Sequence, residues 1–253
     1  MHTKSTDSIT PIATPPWTAL GKKLESLTRK AIYDFELLDG QTKIGIALSG
    51  GKDSLTLLYL LKALSNRGFD ELDITAFHVN GEFSCGASLS LGFLKPICDE
   101  LGVKLVICES TQKLETLECY SCSRERRSLL FNAAKKENIT HLAFGHHRED
   151  SIETLLLNLL HKAEFAANLA KVEMIHYGIT IIRPLIYVAE NDIVTFAKQY
   201  NFNRVSCQCP VGQTSRRKDV KRIIESLERT FPNVRSNLSK AAHNYGSDKA
   251  KRP

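Results

Sequence analysis

Long hydrophobic runs are absent from the sequence. No segment approaches the about 20 consecutive apolar residues that a membrane-spanning helix needs, so we expect no membrane partner. Residues 1–16 lack the apolar stretch of a secretory signal. They are rich in Ser, Thr and Pro, and we expect a disordered leader there. Without an export signal, the protein is expected to be cytoplasmic.

The sequence also has little net charge. The formal net charge is +6 over 253 residues, which is only weak evidence for a polyanionic partner. The cysteine count is seven, an odd number, and a chain without an export signal is expected to keep its thiols reduced. A close pair of cysteines therefore indicates a metal site before a disulfide.

Apolar runs of strand length alternate with amphipathic stretches of helical length. This alternation predicts an α/β fold, with a doubly wound parallel sheet covered by helices on both faces. The strand candidates are Lys43–Leu48, Asp73–Val79, Lys104–Cys108, His141–Phe144 and Ile179–Ile182. The helix candidates between them are Leu55–Leu64, Ser88–Leu101, Arg124–Lys136 and Ile152–His161.

Helical additions are predicted at both ends of this body. A lead-in helix is expected within Trp17–Leu38, where apolar residues recur at intervals of three and four. Two more helices are expected after the last strand, at Glu190–Tyr200 and from about Arg216 to Arg229. Because no repeat or linker interrupts the body, a single domain is predicted over residues 17–238, followed by a flexible basic tail over residues 239–253.

The segment Ser49-Gly50-Gly51-Lys52-Asp53-Ser54 follows the first strand and precedes a helix. Glycines permit close approach of an anion, and the N–H groups at a helix start face it. Lys52 adds a positive charge, and the hydroxyls of Ser49 and Ser54 are able to donate to phosphate oxygens. A carboxylate beside phosphates needs a cation between them, so Asp53 is predicted to contact Mg²⁺. The segment is predicted to bind ATP, with Lys52 and Asp53 catalytic, although the Walker A spacing is absent.

Three further segments are predicted at the carboxyl edge of the sheet, where doubly wound folds bind ligands. His78 and Asn80 end the second strand, Gly145-His146-His147-Arg148-Glu149-Asp150 follows the fourth, and Arg183-Pro184-Leu185 follows the last. We assign His78, Asn80, Gly145 and His146 to nucleotide binding, although a lone His is equally compatible with a structural role. Asp150 is predicted to complete a metal site with Asp53 and to be the third catalytic residue.

Two close cysteine pairs are present, Cys119/Cys122 as C-x₂-C and Cys207/Cys209 as C-x-C. The single Cys85, Cys98 and Cys108 are expected to be small core residues. Three interpretations of the pairs stay open at this point: a four-thiolate zinc site, a redox dithiol, or an iron–sulfur cluster on three thiolates with one iron free for sulfur.

Basic residues follow both cysteine pairs. They are Arg124, Arg126 and Arg127 after the first pair, and Arg216, Arg217 and Lys218 after the second. If the fold brings the pairs together, these charges form a rim for a polyanion; otherwise they are solvated helix faces. Their density favours contact with the phosphates of a nucleic acid.

Taken together, these segments resemble the tRNA 2-thiocytidine synthetases, or tRNA-cytidine 2-sulfurtransferases, of the PP-loop ATP-pyrophosphatase superfamily. The resemblance extends from about Lys22 to Leu238. Its most specific segments are Ala31–Asp34, the loop Ser49–Ser54, Cys119-x-x-Cys122-Ser-Arg-x-Arg-Arg, Gly145-His-His-Arg-x-Asp150, Ile182-Arg-Pro-Leu185 and the Cys207 region. The sequence departs from the family at Asn80, where Asp is usual, and at His161–Phe165, where a Gly-rich stretch is usual.

The resemblance implies ATP, Mg²⁺ and an oxygen-sensitive [4Fe–4S] cluster as cofactors. It implies Cys119, Cys122 and Cys207 as cluster ligands, with Cys209 as the alternative third ligand. The implied reaction replaces the C2 oxygen of cytidine 32 in the tRNA anticodon loop with sulfur, through an adenylated C2 intermediate and a sulfur held on the cluster. The implied partners are tRNA and a sulfur donor of the cysteine-desulfurase type, and a homodimer is left open.

Two other functions compete with this one. Another PP-loop tRNA modification, either 2-thiouridine synthesis or lysidine formation, would use the same ATP loop. Lysidine formation does not need the cysteine pairs, and 2-thiouridine synthesis typically adds zinc-binding knuckles that are missing here. A nucleotide-binding module with structural zinc is the third candidate, but Lys52, Asp53 and Asp150 together favour an enzyme.

Overall fold

A six-stranded sheet forms the centre of the protein. The structure, a computed structural model, describes residues 10–81, 87–112, 119–202 and 216–245, without the side chains of 87–90 and 119–122. The strands are β1 (Lys43–Ala47), β2 (Asp73–Asn80), β3 (Lys104–Glu109), β4 (His141–Ala143), β5 (Lys171–Met174) and β6 (Ile179–Ile182). Their spatial order is β3-β2-β1-β4-β6-β5, and only β5 runs antiparallel, against β6. The predicted doubly wound parallel sheet is therefore confirmed, and the antiparallel edge strand β5 is an addition that was not predicted.

Helices cover both faces of the sheet. They are α1 (Ala19–Asp34), α2 (Lys52–Leu64), α3 (Ala87–Glu100), α4 (Cys119–Lys136), α5 (Arg148–Lys162), α6 (Glu190–Gln199), α7 (Arg216–Thr230) and α8 (Val234–Tyr245). One core unites α1, α2, α3 and α6 with the sheet, and a second core joins α4 to the other face. A third, small cluster, with Ile152, Val220 and Ile224 at its centre, joins α5 to α7. None of the helices in the described ranges is long and apolar enough to cross a membrane.

The central strand β1 shows how its sequence separates the two cores. Ile44 and Ile46 are fully buried on the face covered by α2. Gly45 points to the other face, where a Cβ would lie 2.7 Å from Leu142 and 2.9 Å from Phe77. Side chains alternate along a strand, so the missing side chain at Gly45 is what lets these two large residues fill the second core.

Helix α2 is anchored on nearly every side. Its leucines from Leu55 to Leu64 are fully buried, between the sheet and helices α1 and α6. Each such side chain contributes about 1.5–3 kcal/mol when it leaves water. The first turn of α2, which carries the phosphate loop, is therefore held in a fixed position.

The ends of the ordered domain differ from the predicted boundaries. Ala13 is buried, and the Tyr59 hydroxyl donates to the carbonyl of Pro11, so residues 10–16 pack on the body instead of forming part of a disordered leader. At the other end, α8 continues to Tyr245 and buries Ala242, which contradicts a flexible tail over 239–245. Both segments are held by contacts with the body, the second of them through α5. Residues 1–9 and 246–253 lie outside the described ranges.

Candidate active site

A cavity of about 530 Å³ opens at the carboxyl edge of the sheet. It lies where the strand order reverses, because β1 pairs with β2 on one side and with β4 on the other. Doubly wound sheets bind their ligands at this point. The volume falls within the about 300–1,000 Å³ that is usual for small-molecule sites.

The loop after β1 forms one wall of the cavity. Ser49, Asp53 and Ser54 line it. The Ser54 hydroxyl donates to the Gly51 carbonyl at 3.0 Å and lies 3.1 Å from the Ser49 hydroxyl. Gly50 has φ +84°, a left-handed conformation that glycine adopts without strain. The result is a pair of hydroxyls beside the N-terminus of α2, which is an arrangement suited to an anion.

Gly145 packs directly against this loop. A Cβ at Gly145 would lie 2.9 Å from the carbonyl carbon of Asp53 and 3.0 Å from the amide nitrogen of Ser54. The segment after β4 therefore touches the first turn of α2 backbone to backbone. Gly145 thus makes its close approach to the loop itself, and its contact with a nucleotide stays a prediction.

Lys52 is turned towards two carboxylates. Its ammonium donates to Asp53 at 2.8 and 3.0 Å and lies 3.6 Å from Glu190 Oε1. The second oxygen of Glu190 accepts from Lys221 at 2.8 Å. Burial alone would raise the pKa of Glu190, but the hydrogen bond from Lys221 and the nearby positive charges outweigh it and lower that pKa. Sequence reasoning missed Glu190, because only the fold brings the start of α6 to the loop.

Asp53 and Asp150 converge on one imidazole. His147 Nε2 lies 3.8 Å from Asp53 Oδ1 and 3.5 Å from Asp150 Oδ2, and the backbone N–H of His147 donates to Asp150 at 2.9 Å. The pKa of Asp150 would be raised by burial, yet it is lowered overall, chiefly by His147. Two carboxylates that face a common point beside a phosphate loop are suited to a divalent cation.

The other ring nitrogen of His147 faces a third carboxylate. Its Nδ1 lies 3.7 Å from the carboxylate of Glu149, which is buried. Glu149 accepts from Arg148 at 2.6 and 3.0 Å and from the backbone N–H of Glu190 at 2.8 Å. The acidic segment after β4 is thus tied to the start of α6. The sequence did not indicate a role for Glu149 beyond its position in the segment from Gly145 to Asp150.

Arg217, which the sequence predicts to bind tRNA, lines the cavity, 3.5 Å from Asp150 Oδ1 and 3.6 Å from Glu153 Oε2. Like its neighbours Arg216 and Lys218, it is exposed. Successive helical residues point about 100° apart. Arg217 is thus the member of the basic run that forms ion pairs with α5, and its contact with tRNA stays a prediction.

Another arginine, Arg183, lies in the far wall of the cavity. It is only 9% exposed, its Nε donates to His146 Nδ1 at 3.2 Å, and another of its nitrogens donates to the Leu169 carbonyl. Burial, followed by the charge of Arg183, lowers the pKa of His146 to about 4, so this ring is neutral at pH 7. Burial, together with the charge of Arg127, lowers the pKa of Arg183 to about 10.

The residues predicted at the end of β2 divide between two places. His78 lines the cavity, with Nδ1 2.7 Å from the Leu48 carbonyl, and burial lowers its pKa. Asn80 instead donates to the carboxylate of Glu109 on β3, at 3.0 and 3.2 Å. Asn80 is one of the residues that pair β2 with β3, and it does not reach the cavity.

The first cysteine pair lies at the start of α4. Cys119 and Cys122 occupy its first turn, and the residues that follow, Ser123, Arg126 and Arg127, line the cavity. Arg124 is exposed. Cys207 and Cys209 fall in 203–215, outside the described residues. Among the side chains that the structure does describe, no group of three or more His, Cys, Asp or Glu is arranged to hold a metal ion.

Comparison with known proteins decides the family. Residues 19–223 match the family described as the PP-loop domain. The curated tRNA-cytidine(32) 2-sulfurtransferase of Geobacter metallireducens is 33% identical over 88% of this chain and 90% of its own length. The chain belongs to the PP-loop tRNA-cytidine(32) 2-sulfurtransferase family. A second member, from Anaeromyxobacter dehalogenans, is 36% identical over 87% of this chain and 78% of its own length.

A solved structure agrees with this assignment at the level of the fold. The U34-tRNA thiolase NcsA from Methanococcus maripaludis, solved with its [4Fe-4S] cluster, superposes with a TM-score of 0.74. The match covers 89% of this chain and 78% of the NcsA chain, at 22% sequence identity. This sulfurtransferase family member therefore shares the α/β architecture of NcsA.

Proposed function

We propose that this chain uses ATP to replace the C2 oxygen of cytidine 32 in tRNA with sulfur. One observation carries the proposal. A single cavity joins the phosphate loop to the start of α4, directly after Cys122. A nucleotide on the loop and a sulfur at the cysteines would both reach a base placed in this cavity. The names of the curated relatives support cytidine as that base.

The loop supplies the groups that hold the triphosphate. The hydroxyls of Ser49 and Ser54 and the N-terminus of α2 face the cavity, where they would bind the phosphates of ATP. Gly50 and Gly51 would let the loop backbone approach the nucleotide, and Gly145, His78 and His146 line the same cavity. Asp53 and Asp150 would hold Mg²⁺, which would neutralise phosphate charge.

Activation of the base explains why ATP is needed. The C2 oxygen of cytidine attacks the α-phosphorus of ATP, the bond to the β-phosphate breaks, and pyrophosphate leaves. The ammonium of Lys52 would leave its contacts with Asp53 and Glu190, bind the leaving pyrophosphate and stabilise its charge. The former carbonyl oxygen is now part of an AMP leaving group, so a sulfur nucleophile adds at C2 and AMP departs with that oxygen. A base in an anticodon loop leaves its stack at low cost.

The cysteines would supply the sulfur. Cys119, Cys122 and Cys207, with Cys209 as the alternative to Cys207, would hold a [4Fe–4S] cluster. Residues at i and i+3 of α4 share one helix face, so the first pair fits a common ligand. When bound, the cluster provides an iron site for the transferred sulfur. A donor of the cysteine-desulfurase type, a cytoplasmic location and a homodimer stay predictions.

The basic residues around the cavity mouth would bind the tRNA. Arg124, Arg216 and Lys218 are exposed, and Arg126, Arg127 and Arg217 line the cavity. Arginine and lysine side chains neutralise backbone phosphates and position the nucleic acid without reading its sequence. They would place the anticodon loop over the opening.

Nucleoside analysis tests the proposal directly. The assay combines the intact chain, purified without oxygen, with unmodified tRNA, ATP, Mg²⁺ and sulfide, and the digested tRNA is then analysed by mass. We expect 2-thiocytidine at position 32 and pyrophosphate release that tRNA stimulates. The same nucleoside should disappear from tRNA of a deletion strain. Formation of 2-thiouridine or lysidine would assign the chain to another tRNA modification, and no ATP turnover would leave a binding module.

A further inference from the structure

Arg183 is a buried cation that forms no ion pair with a carboxylate among the residues that the structure describes. It is 9% exposed, and it donates hydrogen bonds to a neutral imidazole, that of His146, and to the carbonyl of Leu169. No carboxylate of the described residues lies within ion-pair distance of it, whereas Arg148 pairs with Glu149. Burial of a charge that no ion pair compensates is costly, and the charge of Asp150 offsets only part of this cost. Arg183 nevertheless lines the cavity, where a bound anion would be able to reach it.

The surroundings of Arg183 are positive as well. Arg127 lines the same cavity, it donates hydrogen bonds to Ser123, and its charge helps to lower the pKa of Arg183. His146 adds no compensating negative charge. Two guanidinium groups therefore line the same cavity, close enough for the charge of one to affect the other. An arrangement of this kind is stable when an anion completes it.

This positive region is separate from the phosphate loop. The loop uses serine hydroxyls and a helix N-terminus at the end of β1, whereas Arg183 follows β6 and Arg127 belongs to α4. Lys52 pairs with Asp53 at the loop, whereas Asp150 also interacts electrostatically with Arg183. The triphosphate of ATP thus has partners at the loop that do not include Arg183 or Arg127, and these two arginines are left for another anion.

We propose that Arg183 and Arg127 form a second anion subsite, which takes one phosphodiester of the RNA strand beside the target nucleotide. The planar fork of Arg183 suits two oxygens of one phosphate. Arg127 is exposed and Arg183 is buried, so the pair leads from the surface into the cavity along the path that an extruded nucleotide would take. The inference rests on the proposed function and adds to it the contact that holds the flipped nucleotide in place.

Three variants test the subsite. Arg183→Lys keeps the charge but loses the fork, and Arg183→Gln removes the charge. The control, Arg67→Gln, removes a half-exposed arginine that pairs with Glu25 at the far end of α2. The probes are an anticodon stem–loop RNA, a non-hydrolysable ATP analogue, and inorganic phosphate. Dissociation constants for the first two are measured over a salt range of about 50–200 mM.

We expect both Arg183 variants to weaken RNA binding at least about tenfold, as for a lost bidentate contact to a charged group. The slope of log K against log salt should fall by about 0.7 for Arg183→Gln, the value for one single-strand phosphate contact. Binding of the ATP analogue should not change, and Arg67→Gln should resemble the wild type. Weaker binding of the analogue with unchanged binding of the RNA would overturn the proposal, because the phosphate would then belong to the nucleotide.

Two measurements of melting temperature distinguish a loss of anion binding in Arg183→Gln from a loss of folding. Removal of a buried charge that no ion pair compensates should leave the melting temperature of Arg183→Gln equal to or above that of the wild type. Inorganic phosphate should raise the melting temperature of the wild type more than that of Arg183→Gln. Equal phosphate protection, or unchanged RNA and nucleotide binding in the folded variants, would overturn the subsite. Because phosphate protection needs no tRNA chemistry, it stands apart from failure of the thiolation assay.

Discussion

Gly145 and Asp53 are in backbone contact across the active site: a Cβ on Gly145 would lie 2.9 Å from the carbonyl carbon of Asp53. Contacts this short are essentially never found for a real Cβ. The opposing atoms belong to backbone in the first turn of α2, and α2 is fixed by its buried leucines. The loop and the segment after β4 are therefore coupled through a glycine.

The first prediction follows from this contact. Gly145→Ala should displace the start of α2 and weaken ATP binding at least about tenfold, and it should cost about 1–3 kcal/mol of stability, as overpacking does. Gly92→Ala is the matched control, because Gly92 is exposed on α3 and a Cβ added there would have nothing within 4 Å. Titration calorimetry with ATP and urea unfolding give the two quantities. Wild-type ATP affinity in Gly145→Ala would show that the loop moves freely.

The second prediction concerns the charge at the loop. Lys52→Ala should abolish pyrophosphate release while changing the free energy of unfolding by less than about 1 kcal/mol, because partly exposed ion pairs contribute little. The control is Lys95→Ala, which removes an exposed lysine paired with Asp99 on α3. ATP turnover that persists in the folded Lys52 variant would contradict the assignment of the loop.

Local sequence was sufficient for the parts of the fold that depend on short segments. The β1–loop–α2 unit was predicted because an apolar strand, two glycines and a leucine-rich helix stand in one stretch of chain. The edge strand β5 was missed because Lys171–Met174 is short and mixed in polarity. Helix α8 was missed although Val234, Leu238 and Ala242 recur at helical spacing, and it packs against α5.

The candidate site also contains residues that local sequence predicts and residues that only tertiary packing brings together. The convergence of Asp53 and Asp150 was predicted, since both follow strands that end at one sheet edge. The position of Arg217 beside Asp150 was not, because it depends on the rotation of α7 against α5. Glu190 was missed for the same reason: it meets Lys52 and Lys221 only in the folded chain.

The third prediction is a pH dependence of stability. His146 has its pKa lowered to about 4, below the about 6.5 of a free histidine. Between these values the unfolded state binds more protons than the folded state, so stability rises with pH and is lost as pH falls from about 6.5 to about 4. The lowered pKa of Asp150 acts in the same direction, because its contribution is lost as pH falls through its folded pKa.

His146→Gln should flatten this slope in part, since His78, His141 and His243 also have pKa values lowered by burial. His176→Gln, at an exposed position, is the control. Urea unfolding at a series of pH values measures the slope. Equal slopes in the wild type and His146→Gln would show that His146 does not stay neutral in the folded protein.

The fourth prediction separates the two kinds of basic residue in the run that begins α7. Arg216 and Lys218 are exposed, so the double change to Gln should lower the salt slope of tRNA binding by about 0.7–0.9 for each lost phosphate contact. Arg217→Gln should change the Mg²⁺ dependence of ATP turnover instead, because Arg217 lies beside Asp150. A salt slope that is unchanged in the double variant would place the tRNA surface elsewhere.

The last prediction concerns the metal. Protein purified without oxygen should be brown and contain iron and acid-labile sulfide. Both should be lost in Cys119→Ala, Cys122→Ala and Cys207→Ala, because these three thiolates are the ones proposed to hold a cluster with one iron open. Cys209→Ala should retain the cluster, and so should Cys108→Ala, which changes a buried cysteine at the end of β3.

Zinc would give a different pattern. A structural zinc site closes with four ligands, so it would need all of Cys119, Cys122, Cys207 and Cys209, and it would leave no position for sulfur. Stoichiometric zinc without iron, lost equally in all four variants, would therefore overturn the sulfur-transfer step. ATP binding would survive that result, because the loop contacts that hold Ser49, Ser54 and Gly145 in place involve no cysteine.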